Sequence, residues 1–572
     1  MKVSDYIIHY LHEQKVSHIF EVIGGMTTHL TDSACKHERM NLISCHHEQA
    51  AAFAADSMAR VTGIPGIAMA TSGPGATNLL TGIAACYFDS SPAIFITGQV
   101  NLNEQKQDRP IRQLGFQETD IVSMAQSVVK AAWRISSAEE VPMVLKQAFF
   151  TALSGRPGPV IIDIPMDIQR ADLNNDDFTS QPLLLGSVDE TLVEELLYDL
   201  SQARQPLILA GGGVNSAQVR DLFRIFVEAV NIPVVNSLLA VDVLPCNHPL
   251  RVGMIGTYGN RWANLAIGES DLLLVLGSRL DIRQTGDDTN AFKGRRKIYH
   301  VDCEKGEMNN RVTGCKEILA HLRPFLISAM KKMPKQQSKD YSRWVLKINQ
   351  LKKKWADTAE LNNCKGINPN KFMHQLSDKS NLSSAFIVDV GQNQMWAAQS
   401  LDLNADQRFL TSGGMAPIGY ALPAAIGACI AYDKRPVIMI SGDGGFQLNI
   451  QELQTIASNN LPVKMVILDN KCYGMVRQFQ ESYFECRYQS TFWGYAAPDF
   501  TKIAKAYGIQ SLTVQNDAEI EFALKKMWGD PRAPFLINVL LDMNTNVYPK
   551  IAFGFPMTEM EPFAKPVSFE KK

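Results

Sequence analysis

The stretch from Pro436 to Gly474 limits what this chain can fold into more than any other, reading PVIMISGDGG, then FQLNIQELQTIASNN, then LPVKMVILDNKCYG. Its first part is a β-branched run, Val437 to Ile440, that stops at a glycine turn carrying one carboxylate, Gly442-Asp443-Gly444. A helix is predicted next. Asn449 caps it, Glu452 closes a capping box, and Ile450, Leu453, Ile456 and Ala457 form its apolar stripe. Pro462 ends that helix, and Val463 to Leu468 reads as a second buried strand. In a right-handed parallel unit the two strand ends lie side by side, so Asp443 and Asn470 meet where open α/β sheets bind ligands. A carboxylate and an amide oxygen there suit a hard octahedral cation such as Mg2+. Gly444 and Gly445 would let backbone N–H groups approach a diphosphate. A plain parallel unit with an Asp-containing turn shares Gly-Asp-Gly, but the step to an Asn in a glycine-ended loop favours the cradle.

At 572 residues the chain is too long for one core. An apolar content of 46%, a charged content of 20% and a net charge of −2 describe a soluble globular protein with no basic footprint for nucleic acid. No apolar run reaches the length of a membrane span, and MKVSDYIIHYLHEQ has the pattern of an amphipathic helix, not of a signal peptide. Ten cysteines without CxxC pairs read as free thiols of a cytoplasmic enzyme.

Strand and helix patterns alternate along three stretches, giving an α/β fold of three doubly wound parallel-sheet domains. The expected units are 1–168, 190–332 and 366–548, followed by a C-terminal tail, 549–572, with no clear period. In the first unit, Val16-Phe20, Asn41-Cys45, Gly66-Ala70, Ala93-Thr97 and Val160-Ile164 are strand candidates, and a small-residue helix runs from Gln49 to Arg60. In the second they are Pro206-Ala210, Pro233-Asn236, Leu272-Leu276 and Lys297-Val301. Residues 169–190 suit a linker, and 331–363 a charged helical connector on which Lys352 to Lys354 form a solvated face. The first and third units could share a fold. Glu48 opens its helix directly after a strand; burial there would raise its carboxyl pKa, although a helix-initial Glu also simply complements the dipole.

Eight motifs carry a resemblance: HHEQAAAFAADSMAR (46–60), TSGPGATNLLTGIA (71–84), FQETD (116–120), SGRPGPVIIDIPMDIQ (154–169), GQNQMWAAQ (391–399), TSGGMAPIGYALPAAIGA (411–428), GDGGFQLNIQEL (442–453) and LDNKCYGMVRQFQE (468–481). In order and spacing they resemble the thiamine-diphosphate enzymes of the acetolactate synthase family, from about residue 3 to 555.

The resemblance implies a pyrimidine-binding first domain, a central FAD- or ADP-type domain and a diphosphate-binding third domain. Asp443 and Asn470 match the metal ligands, with the carbonyl of Cys472 as a third. Gly391, Gln392 and Asn393 match the diphosphate segment, joined by Gly442, Gly444, Gly445, Tyr473 and Gly474. Ile418, beside Ala416, matches the apolar residue that bends the cofactor, and Met475 the residue against the aminopyrimidine. Glu48 matches the glutamate that protonates the pyrimidine ring, while Gly25 and Gln117 fall where the reacting oxygen is held. In this family Glu48 and Asp443 of one site come from different subunits, which implies a homodimer or a tetramer with interfacial sites. In the middle domain Gly211-Gly212-Gly213, GSRLDIRQTG (277–286) and HVDCE (300–304) look like flavin-binding segments. Arg156, Gly211, Gly212, Gly213, Met254, Gly277, Arg279, Asp281, Arg283 and Asp302 fall on those positions, and FAD would be structural because the reaction needs no redox step.

The implied activity is decarboxylation of pyruvate and addition of its two-carbon unit to a carbonyl acceptor, giving 2-acetolactate when a second pyruvate accepts. Met26, Phe116, Gln117, Arg283 and Phe479 fall on the substrate side. Four segments depart from the family: Ile23-Gly24-Gly25-Met26 for Pro-Gly-Gly-Ala, Met166 for Lys, Phe479 for Trp and Asp469 for Asn. These leave open a nucleotide-linked keto-deoxysugar of surface polysaccharide biosynthesis as acceptor. They also leave open a catalytically silent assembly subunit, against which Glu48, Asp443 and Asn470 argue. The resemblance also leaves room for a regulatory small subunit as partner.

Overall fold

The computed structural model describes residues 1–175, 177–333 and 339–565. Residue 176 of the expected linker, 334–338 of the connector and 566–572 of the tail lie outside the described residues.

Three six-stranded sheets form the framework, and every pairing within them is parallel. The first holds β1 (His18–Val22), β2 (Asn41–Ser44), β3 (Gly66–Ala70), β4 (Ala93–Gln99), β5 (Ala131–Arg134) and β6 (Pro159–Pro165) in the order β2-β1-β3-β4-β6-β5. The third holds β13 (Ala385–Val388), β14 (Arg408–Leu410), β15 (Val437–Gly442), β16 (Val463–Asp469), β17 (Gln510–Val514) and β18 (Phe535–Leu540) in the order β14-β13-β15-β16-β18-β17. Counted within each unit the two orders are identical, so the first and third units do share a fold.

The middle sheet differs. It contains β7 (Pro206–Ala210), β8 (Val234–Asn236), β9 (Arg251–Met254), β10 (Leu272–Leu276), β11 (Lys297–Asp302) and β12 (Lys316–Leu319) in the order β9-β8-β7-β10-β11-β12. Its winding reverses between β7 and β10, and the carboxyl ends of those two strands are where such sheets take dinucleotides.

Strands covered on both faces read as apolar runs, and Leu272–Leu276 and Pro206–Ala210 are buried throughout. The first and third domains share one core: the small-residue helix Glu48–Thr62 packs on Ala421–Ala431, and both bury a continuous alanine-rich face. That packing is close enough that a Cβ on Gly427 would clash with the Ala54 carbonyl.

Several boundaries move. The strand expected at Val16-Phe20 forms at His18–Val22. The helix expected from Asn449 forms only at Glu452–Ser458, a separate helix, Asp443–Leu448, precedes it, and the capping box does not form. Asn449 instead donates to the Gly419 carbonyl at 2.8 Å, and Glu452 turns to the first domain, because long-range partners outcompete the local cap. The tail is not featureless, since Lys550–Ile551 and Met560–Glu561 pair antiparallel. Arg261 anchors it, ion-paired to Glu360 at 2.6 Å, lying over the rings of Trp355 and Phe563 and donating to the Met560 and Glu561 carbonyls. Lys352, Lys353 and Lys354 are exposed, as their spacing on the helix Ser342–Lys354 predicts.

Candidate active site

In the third domain, β15 and β16 pair with Gly442 opposite Leu468, so Asp443 and Asn470 leave adjacent strand ends. Asp443 is buried, and its Oδ2 accepts from the Tyr495 hydroxyl at 2.8 Å. Burial, and then the charge of Asp469, push its carboxyl up to about 7. Two buried carboxylates with one lysine, Lys471, pairing with Asp469 at 2.7 Å, make a place where a cation relieves repulsion. Asn470 donates to Gln392 Oε1 at 2.9 Å and accepts from Cys472 N at 3.3 Å. The Cys472 thiol is buried and pushed up to about 12, so at neutral pH this residue would offer a cation its carbonyl and not a thiolate.

The glycines of this region are fixed by close approach. A Cβ on Gly444 would strike the Tyr473 ring, one on Gly474 the Gln392 amide, and one on Gly445 would stand 2.8 Å from Asp389 Oδ2. Gly391 has φ 145° and opens the helix Gln392–Ser400, where Asn393 donates back to the Asp389 carbonyl at 2.7 Å. Ala416 adopts φ 54°, and Ile418 is partly exposed beside Gly419.

Asp389 is the residue that sequence reading missed. Fully buried at the end of β13, it accepts from Ser441 Oγ at 2.8 Å, Val390 N at 2.8 Å and Gly419 N at 3.0 Å. It therefore ties the Gly391, Gly419 and Gly442 turns together, and burial raises its carboxyl to about 6. An acid at the end of an apolar strand, in VDVGQN, was the available signal. Asp89 plays a similar part between domains, accepting from Arg60, Ser412 Oγ and Gly414 N.

The first domain gathers a second cluster around the turn Thr71 to Gly75. Gly24 abuts Thr71, whose Oγ1 accepts from Met26 N at 3.2 Å. Gly73 sits against Gln117, itself at φ 67°, and a Cβ on Gly75 would stand 3.3 Å from Glu48 Oε1. Glu48 is half-buried and accepts from Asn78 Nδ2 at 2.9 Å. Gly25 and Phe116 are exposed, Phe116 at 78%.

Between the domains lies a cavity of about 630 Å³. Its lining includes Gly212 and Gly213 after β7, Gly277, Arg279, Asp281 and Arg283 after β10, and Asp302 at the end of β11. Met254, Arg156, Gly391, Ala416 and Met475 also line it, whereas Glu48, Gly25, Gln117 and Phe116 do not. Gly211 lies behind, packed so tightly on the Gly277 carbonyl that no Cβ fits. Arg156 is engaged by Glu304 and Glu307 at 2.7 Å each, and burial raises Asp302 to about 6. Phe479 lies on the helix Gly474–Tyr483, partly exposed, its ring 4.7 Å from that of Tyr483. Met166 begins the short helix Met166–Arg170.

Family models for the thiamine pyrophosphate enzyme match the N-terminal TPP binding domain at residues 1–124, the central domain at 193–328 and the C-terminal TPP binding domain at 389–539. The fold is thus that of a thiamine pyrophosphate enzyme. The acetolactate synthase isozyme 2 large subunit of Escherichia coli is 35% identical over 560 residues, covering 98% of this chain and 99% of the relative. The acetolactate synthase large subunit of Lactococcus lactis is 35% identical, covering 97% and 95%. Acetolactate synthase 2, chloroplastic, of Nicotiana tabacum is 35% identical, covering 97% and 84%. The chain belongs to the acetolactate synthase family.

Proposed function

We propose that this chain is a thiamine-diphosphate-dependent acetolactate synthase, joining two pyruvates to give 2-acetolactate and CO2. The observation that carries the reading is the β15–β16 register, which sets Asp443 and Asn470 at adjacent strand ends beside glycines that admit no side chain. Thiamine diphosphate, when bound, supplies the carbanion chemistry for decarboxylation and carbon–carbon bond formation. Asp443, Asn470 Oδ1 and the Cys472 carbonyl hold Mg2+, and Gly391 to Asn393 with Gly444 and Gly445 receive the diphosphate. Ile418 and Met475 fit the cofactor's shape, and Glu48 exchanges a proton with the pyrimidine ring nitrogen. Gly25 and Gln117 hold the reacting oxygen. Met26, Phe116 and Phe479 shape the acceptor side, and Arg283 orients a carboxylate.

The central cavity takes FAD in a structural role. Its support is the position at the winding reversal, with Arg279 and Arg283 for phosphates and a glycine wall for close approach. The working unit is a homodimer or a tetramer of such dimers. The Glu48 cluster does not line the cavity that Gly391 and Met475 share, and Ile23, Phe116, Ile418, Leu448 and Phe479 are left exposed around the two half-sites. A second copy of the chain would cover them. Domain limits of 1–168, 190–332 and 366–548 and a cytoplasmic location accompany this reading. No described helix is long and apolar enough to cross a membrane.

The test is direct. Purified protein given pyruvate, thiamine diphosphate and Mg2+ should release CO2 and form acetolactate. No CO2 from any 2-oxoacid would overturn the enzyme reading, and turnover that needs a keto-sugar nucleotide would overturn the choice of acceptor.

A further inference from the structure

Glu452 lies in the third domain, at the start of the helix Glu452–Ser458, yet its carboxylate is spent on the first domain. Oε1 accepts from the backbone N–H of His46 at 2.9 Å, two residues before Glu48. Oε2 accepts from Thr455 Oγ1 at 2.7 Å, and that hydroxyl stands 3.1 Å from His46 Nδ1. On the other flank, Asn449 Nδ2 reaches Gln49 Oε1 at 3.3 Å, one residue after Glu48. His47 caps the helix Glu48–Thr62 by accepting from Gln49 N at 3.0 Å. The tip of Glu48 is held by Asn78, but the backbone that aims it is gripped on both sides by one segment of the third domain.

Glu452 is fully buried. A carboxylate is costly to bury, and a capping role on its own helix would have left it near solvent. Its hydrogen-bond donors are a backbone and a hydroxyl group, with His46 Nδ1 farther off at 3.9 Å from Oε2, so it serves as a fixed acceptor, and what it fixes is the strand-to-helix turn that carries Glu48.

We propose that Glu452 is a positioning residue for Glu48, setting through His46 the place from which Glu48 reaches the bound cofactor. This rests on the role given to Glu48 above, so the test separates the two. The variants are Glu48→Gln, Glu452→Ala, Glu452→Gln and the double variant Glu48→Gln/Glu452→Ala, with kcat, KM for pyruvate and thermal midpoint measured for each. Misplacement by about an ångström costs up to roughly a hundred-fold in rate. Glu452→Ala should therefore lower kcat by about ten-fold or more with KM little changed. Glu452→Gln retains an acceptor oxygen for His46 N and should restore most of the turnover. Because Glu452 acts through Glu48, the double variant should be no slower than Glu48→Gln alone. Losses that multiply in the double variant, or a kcat of Glu452→Ala equal to the parent's, overturn the proposal while leaving Glu48 in place. A fully active Glu48→Gln removes the role of Glu48 and the proposal with it. Should Glu452→Ala fail to fold, Thr455→Val removes one donor to Glu452 without emptying the site. A smaller drop confined to kcat supports positioning, and parental kinetics overturn it.

Discussion

Gln392 Oε1 accepts the side-chain amide of Asn470 at 2.9 Å, and the amide of Gln392 is itself held by the Thr545 carbonyl at 3.0 Å. The chain of bonds fixes which end of Asn470 is nitrogen. Its Oδ1 accepts only a long 3.3 Å bond from Cys472 N, which would leave it available to the proposed cation. Partners that orient a metal ligand are worth about 10- to 100-fold in metal affinity. Gln392→Leu should therefore raise by that factor the Mg2+ concentration needed for thiamine diphosphate binding, with activity recovering at high Mg2+. A Mg2+ titration that matches the parent's would sink the assignment.

Glu48→Gln keeps the shape of the side chain and removes the titrating group. Exchange of the cofactor's thiazolium C2 proton should slow by orders of magnitude, and the variant should elute from gel filtration at the same volume as the parent. Parental exchange rates in this variant would reject Glu48 as the proton-handling residue.

What could be read from the sequence follows the reach of each interaction. The β15–helix–β16 unit was legible because β-branched runs, a glycine turn and Pro462 act within a few residues. The cap at Asn449 was misread because Asn449 and Glu452 find partners in Gly419 and His46, which no local pattern reveals. Asp389 escaped for the same reason, since its meaning lies in Ser441 and Gly419. The cavity walls were legible as separate motifs after β7, β10 and β11, but their meeting is a property of strand order. That Glu48 and Asp443 of one site would come from different subunits was implied by the family resemblance and not by any spacing.

Flavin is the second ligand to test. Denaturing the purified protein should release it, and a colourless supernatant counts against FAD. Arg279 lines the cavity and stands 3.3 Å from Asp281. Arg279→Glu would set a second carboxylate beside Asp281 where the proposed phosphates would sit, and like charges so placed cost several kcal/mol. Bound flavin should fall by at least about ten-fold, equivalent to roughly 1.4 kcal/mol. Full flavin content in this variant would move the phosphates elsewhere.

The junction of the connector with the third domain should carry a pH signature of its own. His374 sits between two carboxylates, Nε2 at 2.8 Å from Asp357 and Nδ1 at 2.6 Å from Asp402. Burial alone would push the imidazole down, but the bonds to Asp357 and then Asp402 outweigh it and hold it up to about 10. A group whose folded pKa is raised contributes fully below its unfolded value, about 6.5, and loses that contribution as pH climbs through the folded value. Stabilisation by His374 is therefore complete near pH 6 and gone above about pH 10. Every ten-fold gain in proton affinity on folding is worth about 1.4 kcal/mol in a fully shielded site, and solvent reduces that here because the side chain is 34% exposed. With roughly 2–4 °C of melting temperature per kcal/mol in domains of this size, His374→Gln should melt several degrees below the parent at pH 6. Between pH 7 and 10 the parent's midpoint should fall toward that of the variant. A gap that stays constant across this range would show that the imidazole is neutral in the folded protein and that the two carboxylates are held by other means.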